Sequence, residues 1–177
     1  MTIDILDYKP DWPNTFRQIR DRVWPHIRHV AVTFEHVGST SVPDLPAKPV
    51  IDIDVVIQSR SDLPQIIECL QTIGYEHRGE VGIPDRDAFK QPPGTPSHHL
   101  YVCPRTSVAL RNHVTLRDHL CRYQADREAY ATLKRTLAAT CDGIDDYSRQ
   151  KTNFIVSILA NYAFTPEELA LIRRANE

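Results

Sequence analysis

Asp52 and Asp54 stand in the run Val50-Ile51-Asp52-Ile53-Asp54-Val55-Val56-Ile57, preceded by His36-Val37-Gly38-Ser39-Thr40-Ser41, with Lys48 between the two segments. In an extended strand successive side chains point to opposite faces, so both carboxylates leave one face while Ile51, Ile53, Val55 and Ile57 occupy the other. A strand that is apolar on both faces belongs in the middle of a covered sheet, and two like charges there are costly unless cations or donors offset them. A divalent cation is one such partner, because hard ions take carboxylate and phosphate oxygens. The Gly-Ser-Thr-Ser turn suits the other half of that chemistry. Gly38 allows close approach to the backbone, and Ser39 and Ser41 can offer N–H and hydroxyl groups to phosphate, while Thr40 is read as capping or packing the turn. Paired metal ions on such carboxylates can activate an attacking hydroxyl and stabilise leaving phosphate oxygens. Taken singly, the turn also reads as a plain loop and the acids as a salt-bridged pair.

Further candidates surround this motif. Lys48 could neutralise phosphate or pair with the aspartates. Lys151 falls on the apolar side of a helix that carries Tyr147, Phe154, Ile155, Ile158 and Tyr162, so it either snorkels to water or enters a cleft. His99 could ligate a metal, act as an acid or base, or hydrogen-bond Asp52 or Asp54. Asp85 and Asp87 are candidate substitute acids from the loop, although exposed turn residues is the favoured reading. Arg111 and Arg117 are weaker phosphate candidates, and Arg117 beside Asp118 also reads as a surface pair or a brace. Neither a Gly-x-Ser-x-Gly elbow nor a Gly-x-x-x-x-Gly-Lys-Ser/Thr loop occurs, so a hydrolase triad and a P-loop kinase have no motif support.

The strand, Gly-Ser turn and hydrophobic-Asp-hydrophobic-Asp pattern resembles the DNA polymerase beta-like nucleotidyltransferase superfamily. Within it, His36 to Pro43 with Ala47-Lys48-Pro49-Val50-Ile51-Asp52-Ile53 resembles the GrpB (UPF0157) family. Tyr8 to Phe16, His98 to Val102, Leu116 to Leu120, Tyr130, Leu133-Lys134 and Tyr147 to Ile155 extend the likeness over nearly the whole chain. The resemblance implies an α+β fold: a small mixed β-sheet with flanking helices and a helical C-terminal half. It implies a metal-dependent nucleotidyltransferase that moves a nucleoside monophosphate from a nucleoside triphosphate to an unidentified small-molecule acceptor. Asp52 and Asp54 would be the metal ligands, for Mg²⁺ or Mn²⁺, and would act with His99 in catalysis. Gly38, Ser39, Ser41, Lys48 and Lys151 would bind phosphate. Relatives in the superfamily usually bring a third acid from a neighbouring strand, where this chain offers histidine. A noncatalytic nucleotide-binding or regulatory module and, less favoured, a metal-dependent phosphoesterase are the alternatives.

These residues need elements to position them. Asn14 is expected to cap a helix toward His29, with Phe16, Ile19, Val23 and Ile27 inward and Pro25 distorting or shortening it. A strand over Val30 to Val37 feeds the Gly-Ser turn. Ser61 caps the next predicted helix, which carries Leu63, Ile66, Ile67, Leu70 and Ile73 and stops at Gly74. Gly79 to Pro96 reads as a loop or irregular hairpin with a short strand at Asp87 to Lys90, and His99 to Cys103 is a strand. Helices follow over Ser107 to Arg122, around Tyr130 to Cys141 and around Tyr147 to Tyr162. Thr165-Pro166-Glu167-Glu168 has the form of a capping box. The expected organisation is one domain over 1–177, with a sheet module to about 105 and a helical half from about 106.

Composition sets outer bounds. The chain has 177 residues, 41% hydrophobic and 25% charged, which suits one globular domain with its own core. Its formal net charge of −2 gives no global basic field for nucleic acid. No stretch approaches the roughly 20 apolar residues of a membrane span, and Met1-Thr2-Ile3-Asp4-Ile5 carries no basic segment before an apolar run, so a cytoplasmic protein is expected. Cys69, Cys103, Cys121 and Cys141 form no Cys-x-x-Cys pair, and reduced, packing thiols are expected. Nothing in the sequence points to an oligomeric state.

Overall fold

A computed structural model describes residues 4–175 of the chain. Helix α1 (Trp12–Ile27) begins at Asp11, ahead of the expected Asn14 cap. Pro13 explains the early start: its fixed φ suits a first turn, where no N–H is needed, and Asn14 instead hydrogen-bonds the Asp11 carboxylate. Pro25 lies within the last turn and α1 stops at Ile27, short of His29. Strands β1 (Ala31–Val37) and β2 (Ile51–Ile57) follow, joined through a short 3₁₀ turn at Ser39–Ser41.

Helix α2 (Leu63–Thr72) is entered through a capping box made by Ser59 and Asp62, not by Ser61. Its exit is at Gly74, with φ +91, as the sequence indicates. Next come β3 (Glu76–Gly79), β4 (Asp87–Lys90) and β5 (His98–Pro104), then only helices among the described residues: α3 (Val108–Arg122), α4 (Gln124–Thr140), α5 (Ile144–Leu159) and α6 (Pro166–Arg174). Thr165 and Glu168 make the expected capping box of α6. Strand β3 was not expected, because Glu76-His77-Arg78 carries no apolar alternation; it is held by pairing with β4, Glu76 opposite Lys90.

The sheet order is β1-β2-β5-β4-β3, with β2 and β5 parallel and the other pairs antiparallel. This is the mixed sheet of an α+β fold with helices after Pro104. One face is hydrocarbon: Ile51, Ile53, Val55 and Ile57 of β2 pack with Ile19, Val23 and Ile27 of α1 and Ile66 and Leu70 of α2. On the opposite face α3 covers only one end, where Leu110 and Val114 meet Val56 and Cys103. A second core, Val42 and Leu45 with Leu120, Tyr130, Ala131 and Ile158, ties the β1–β2 connection to the helices. The Asp52 end of the face is left for a cavity. Among the described residues no helix is long and apolar enough to cross a membrane, and all four cysteines are free thiols.

Candidate active site

A cavity of about 280 Å³ opens over that uncovered end, with the Gly38-Ser39-Thr40 turn, Asp52, His99 and Tyr101 on the sheet side. Lys48 from the connection, Lys134 from α4 and Lys151 from α5 close it. Asp52 lines it; Asp54 lies behind, fully buried.

Each carboxylate carries an imidazole. His99 donates from Nδ1 to Asp52 Oδ1 at 2.9 Å, and His113 of α3 donates from Nδ1 to Asp54 Oδ2 at 2.8 Å. Burial alone would lower the His113 pKa, but the Asp54 charge and hydrogen bond outweigh it and the net shift is upward. Asp54 Oδ1 is buried with no hydrogen-bond partner. On β5 the residues in register with Asp52 and Asp54 are His99 and Tyr101; on β1 the residue in register with Asp54 is Glu35. Glu35 is a third acid on the same face, but Arg117 binds its carboxylate at 2.9 Å and also donates to the His36 carbonyl. Arg117 is thus a brace between α3 and β1.

The turn is built around Gly38. Its φ of +69 favours glycine, and a Cβ placed there would sit 2.2 Å from Asp52 Oδ2. Ser39 Oγ accepts a hydrogen bond from Lys134 at 3.0 Å. Ser41 donates to the Gly38 carbonyl at 2.6 Å, so its hydroxyl is engaged inside the turn and the structure does not bring it into the cavity. Thr40 does line the cavity, and shares a 3.0 Å hydrogen bond with His36. His36 stacks on Phe16, and burial holds its pKa down at about 4.

The amines form a cluster short of anions. Lys134 is 1% exposed; its ammonium donates to Ser39 and to the Pro46 carbonyl, and burial together with Lys151 pulls its pKa down to about 7. Burial and the neighbouring Lys48 pull Lys151 down to about 8. Lys151 lies 4.5 Å and Lys48 5.9 Å from the Tyr147 ring centre, which favours both cations. Lys134 therefore makes folding pH-dependent. Between about pH 7 and 10.5 the unfolded chain keeps a proton that the native Lys134 has lost, so this group makes stability rise with pH over that window. The expected result is that the stability difference between the parent and Lys134→Met changes by a few kcal/mol from pH 7 to 10, read by urea denaturation at each pH.

Other expectations are corrected by placement. Asp85 is exposed, but Asp87 is buried, accepting from His77 Nε2 at 2.7 Å and Arg60 at 3.0 Å, and neither lines the cavity. Arg111 pairs with Glu168 of α6 and lies over the Phe164 ring, away from the turn. Lys134, His113 and Arg86 were not anticipated as cavity residues. Lys134 had a signal, lying four residues from Tyr130 and three from Leu137 on the apolar face of α4. His113 and Arg86 had none.

The donor set fits a divalent cation in part. Asp52 presents a carboxylate to the cavity, and behind it Asp54 Oδ1 is buried without a hydrogen-bond partner; carboxylate oxygens are what a hard cation takes. Among the described residues no group of three His, Cys, Asp or Glu side chains could hold a metal ion, so phosphate oxygens and water would have to complete the shell.

Known proteins agree with this frame. The model of the GrpB protein family matches residues 2–161. The UPF0157 protein YqkA of Bacillus subtilis strain 168 is 30% identical over 154 residues, 86% of this chain; the chain spans only 45% of that relative's length. The crystal structure of GrpB from Enterococcus faecalis superposes with a TM-score of 0.77 at 29% identity, covering 90% of this chain and 99% of that one. The Cid1 poly(U) polymerase bound to MgATP shares the fold, with a TM-score of 0.50 at 12% identity over 92% of this chain and 54% of that one. With a family model spanning nearly the whole chain, the protein belongs to the GrpB (UPF0157) family.

Proposed function

We propose that the protein is a metal-dependent nucleotidyltransferase that passes a nucleoside monophosphate from a nucleoside triphosphate to a small-molecule acceptor. The observation that supports this reading best is the convergence of Asp52, a Gly-Ser turn and three lysines on one cavity, with Asp54 directly behind it. Asp52 and Asp54 would hold Mg²⁺ or Mn²⁺, which when bound would acidify an attacking hydroxyl and offset phosphate charge. Gly38 and Ser39 would seat the phosphates, and Lys48, Lys134 and Lys151 would balance their charge. The rate gain would come from alignment and preorganised electrostatics. With a net charge of −2 and no global basic field, the acceptor is taken to be a small molecule rather than nucleic acid, and free thiols suit a reducing, cytoplasmic setting.

One observation favours a binding module instead: His99 and Tyr101 stand where a third acid would face the pair, and Glu35 is engaged by Arg117. A panel of nucleotides and acceptors with Mg²⁺ or Mn²⁺, read by pyrophosphate release and mass spectrometry, separates the two. Turnover supports the enzyme; metal-dependent binding without turnover supports the module. In either case Lys151→Met is expected to weaken triphosphate binding by about tenfold or more, because a charge-assisted contact is lost, while the melting temperature moves little. Calorimetric titration of the triphosphate and a thermal melt check both halves.

A further inference from the structure

Among the described residues Arg86 is the only arginine that lines the cavity over Asp52. Its place follows from the pairing of β4. Asp87 stands opposite Val102 and Phe89 opposite Leu100, on the hydrocarbon face, while Ala88 stands opposite Tyr101 on the acidic one. Arg86 continues that alternation onto the acidic face. Its guanidinium carbon lies 4.2 Å from the ring centre of Tyr101, which lines the same cavity.

The charge of Arg86 is without a counterion. Among the described residues its guanidinium makes no ion pair and no hydrogen bond, because the nearby acids are engaged elsewhere. Arg60 takes both of its chain neighbours, Asp85 at 3.4 Å and Asp87 at 3.0 Å, and the imidazoles of His99 and His113 take Asp52 and Asp54. Arg86 Nε is buried with no partner, which costs stability, so the side chain is a poor structural prop. Methionine would keep the contact with Tyr101 and bury no orphan.

The two terminal nitrogens differ from Nε. Neither is among the buried unpartnered atoms, so both keep access to solvent at the cavity wall. Two N–H donors on a plane held against an aromatic ring form the fork that grips a carboxylate or a phosphate. Lys48, Lys134 and Lys151 reach the cavity from the connection before β2 and from α4 and α5, whereas Arg86 reaches it from the chain entering β4, beyond β5.

We infer that Arg86 is an oxyanion-binding residue of this cavity, its Nη1 and Nη2 taking a carboxylate or phosphate at a point apart from the lysine cluster. Two sources carry such a group, and both rest on the function proposed above: the far end of the triphosphate, or an anionic group on the acceptor.

The test uses the full chain as parent, Arg86→Met, Arg86→Lys and Lys151→Met, titrated calorimetrically with tripolyphosphate, glycerol 3-phosphate, glycolate and glycerol. A second measurement needs no variant: phenylglyoxal modification of Arg86 in the parent, located by mass spectrometry, with and without each probe. The expected result is that Arg86→Met weakens at least one of the three anions by about tenfold or more, and that the same anion slows modification of Arg86. Arg86→Lys should recover only part of the loss, because it restores the charge without the fork. Glycerol, which has no oxyanion, should show neither effect. A loss confined to tripolyphosphate identifies the triphosphate as the source; a loss confined to glycerol 3-phosphate or glycolate identifies the acceptor. If the anions bind the parent and Arg86→Met alike and none shields Arg86, or if none binds the parent, Arg86 only packs on Tyr101 and the inference is overturned. Tripolyphosphate binding that is unchanged in Lys151→Met counts against the lysine cluster as a phosphate site and leaves a positive Arg86 result standing.

Discussion

Asp52→Asn and Asp54→Asn are each expected to cut Mg²⁺-dependent turnover, or Mg²⁺-dependent nucleotide affinity if the protein only binds, by more than about 100-fold. Losing a partner that merely orients a metal ligand typically costs 10–100-fold, and these substitutions remove the ligand charge itself. Asparagine keeps the shape of each side chain and can still accept from His99 or His113, so the fold should survive. The two variants differ in a telling way. Asp52 lines the cavity, whereas Asp54 is fully buried and holds up the pKa of His113, so Asp54→Asn should also lower stability and return His113 toward neutrality. NMR titration of His113 beside a metal-dependent assay reads both effects. Unchanged activity in both variants would remove the carboxylate pair from the mechanism.

Gly38→Ala should be the most damaging of the glycine-to-alanine substitutions among the described residues. A residue with a side chain at φ +69 and ψ −173 carries backbone strain of about 1–3 kcal/mol, and the new Cβ would stand 2.2 Å from Asp52 Oδ2. Something must shift, and the nearest movable group is the Asp52 carboxylate. The melting temperature should fall by roughly 2–12 °C, and metal-dependent binding should fall with it. Combining Gly38→Ala with Asp52→Ala removes the shortest contact, so the pair should be less destabilised than the sum of the single variants, a coupling that a thermal double-mutant cycle measures. A sum that is strictly additive would mean that the turn does not press on Asp52.

Much of the frame was legible because it rests on local patterns. The alternation around Asp52 and Asp54 placed both on one face, Gly74 ended α2, and Thr165-Pro166-Glu167-Glu168 opened α6. The start of α1 was read three residues late, because Pro13 sets its entry, and the cap ahead of α2 was read at Ser61 where Ser59 caps the short 3₁₀ turn that leads into it. What escaped depends on partners far apart in sequence. Asp87 looks like a turn residue until His77 and Arg60 are brought to it, and β3 has no pattern of its own until β4 lies beside it. Lys134 could have been found by the same helical spacing that singled out Lys151, whereas His113 and Arg86 gain meaning only once α3 and the segment before β4 cross the sheet.

The acidic face of β2 has a consequence for folding fidelity. A slip of one residue in its pairing would turn Asp52 and Asp54 toward Ile19, Val23, Ile66 and Leu70, and bring Ile53 and Val55 over the cavity. Burying unpaired carboxylates in that hydrocarbon layer costs several kcal/mol per ion, so the misregistered chain is strongly disfavoured. The same two side chains thereby act as a proofreading element for strand pairing, and a relative that dispensed with the chemistry would still have reason to keep a charge at this place.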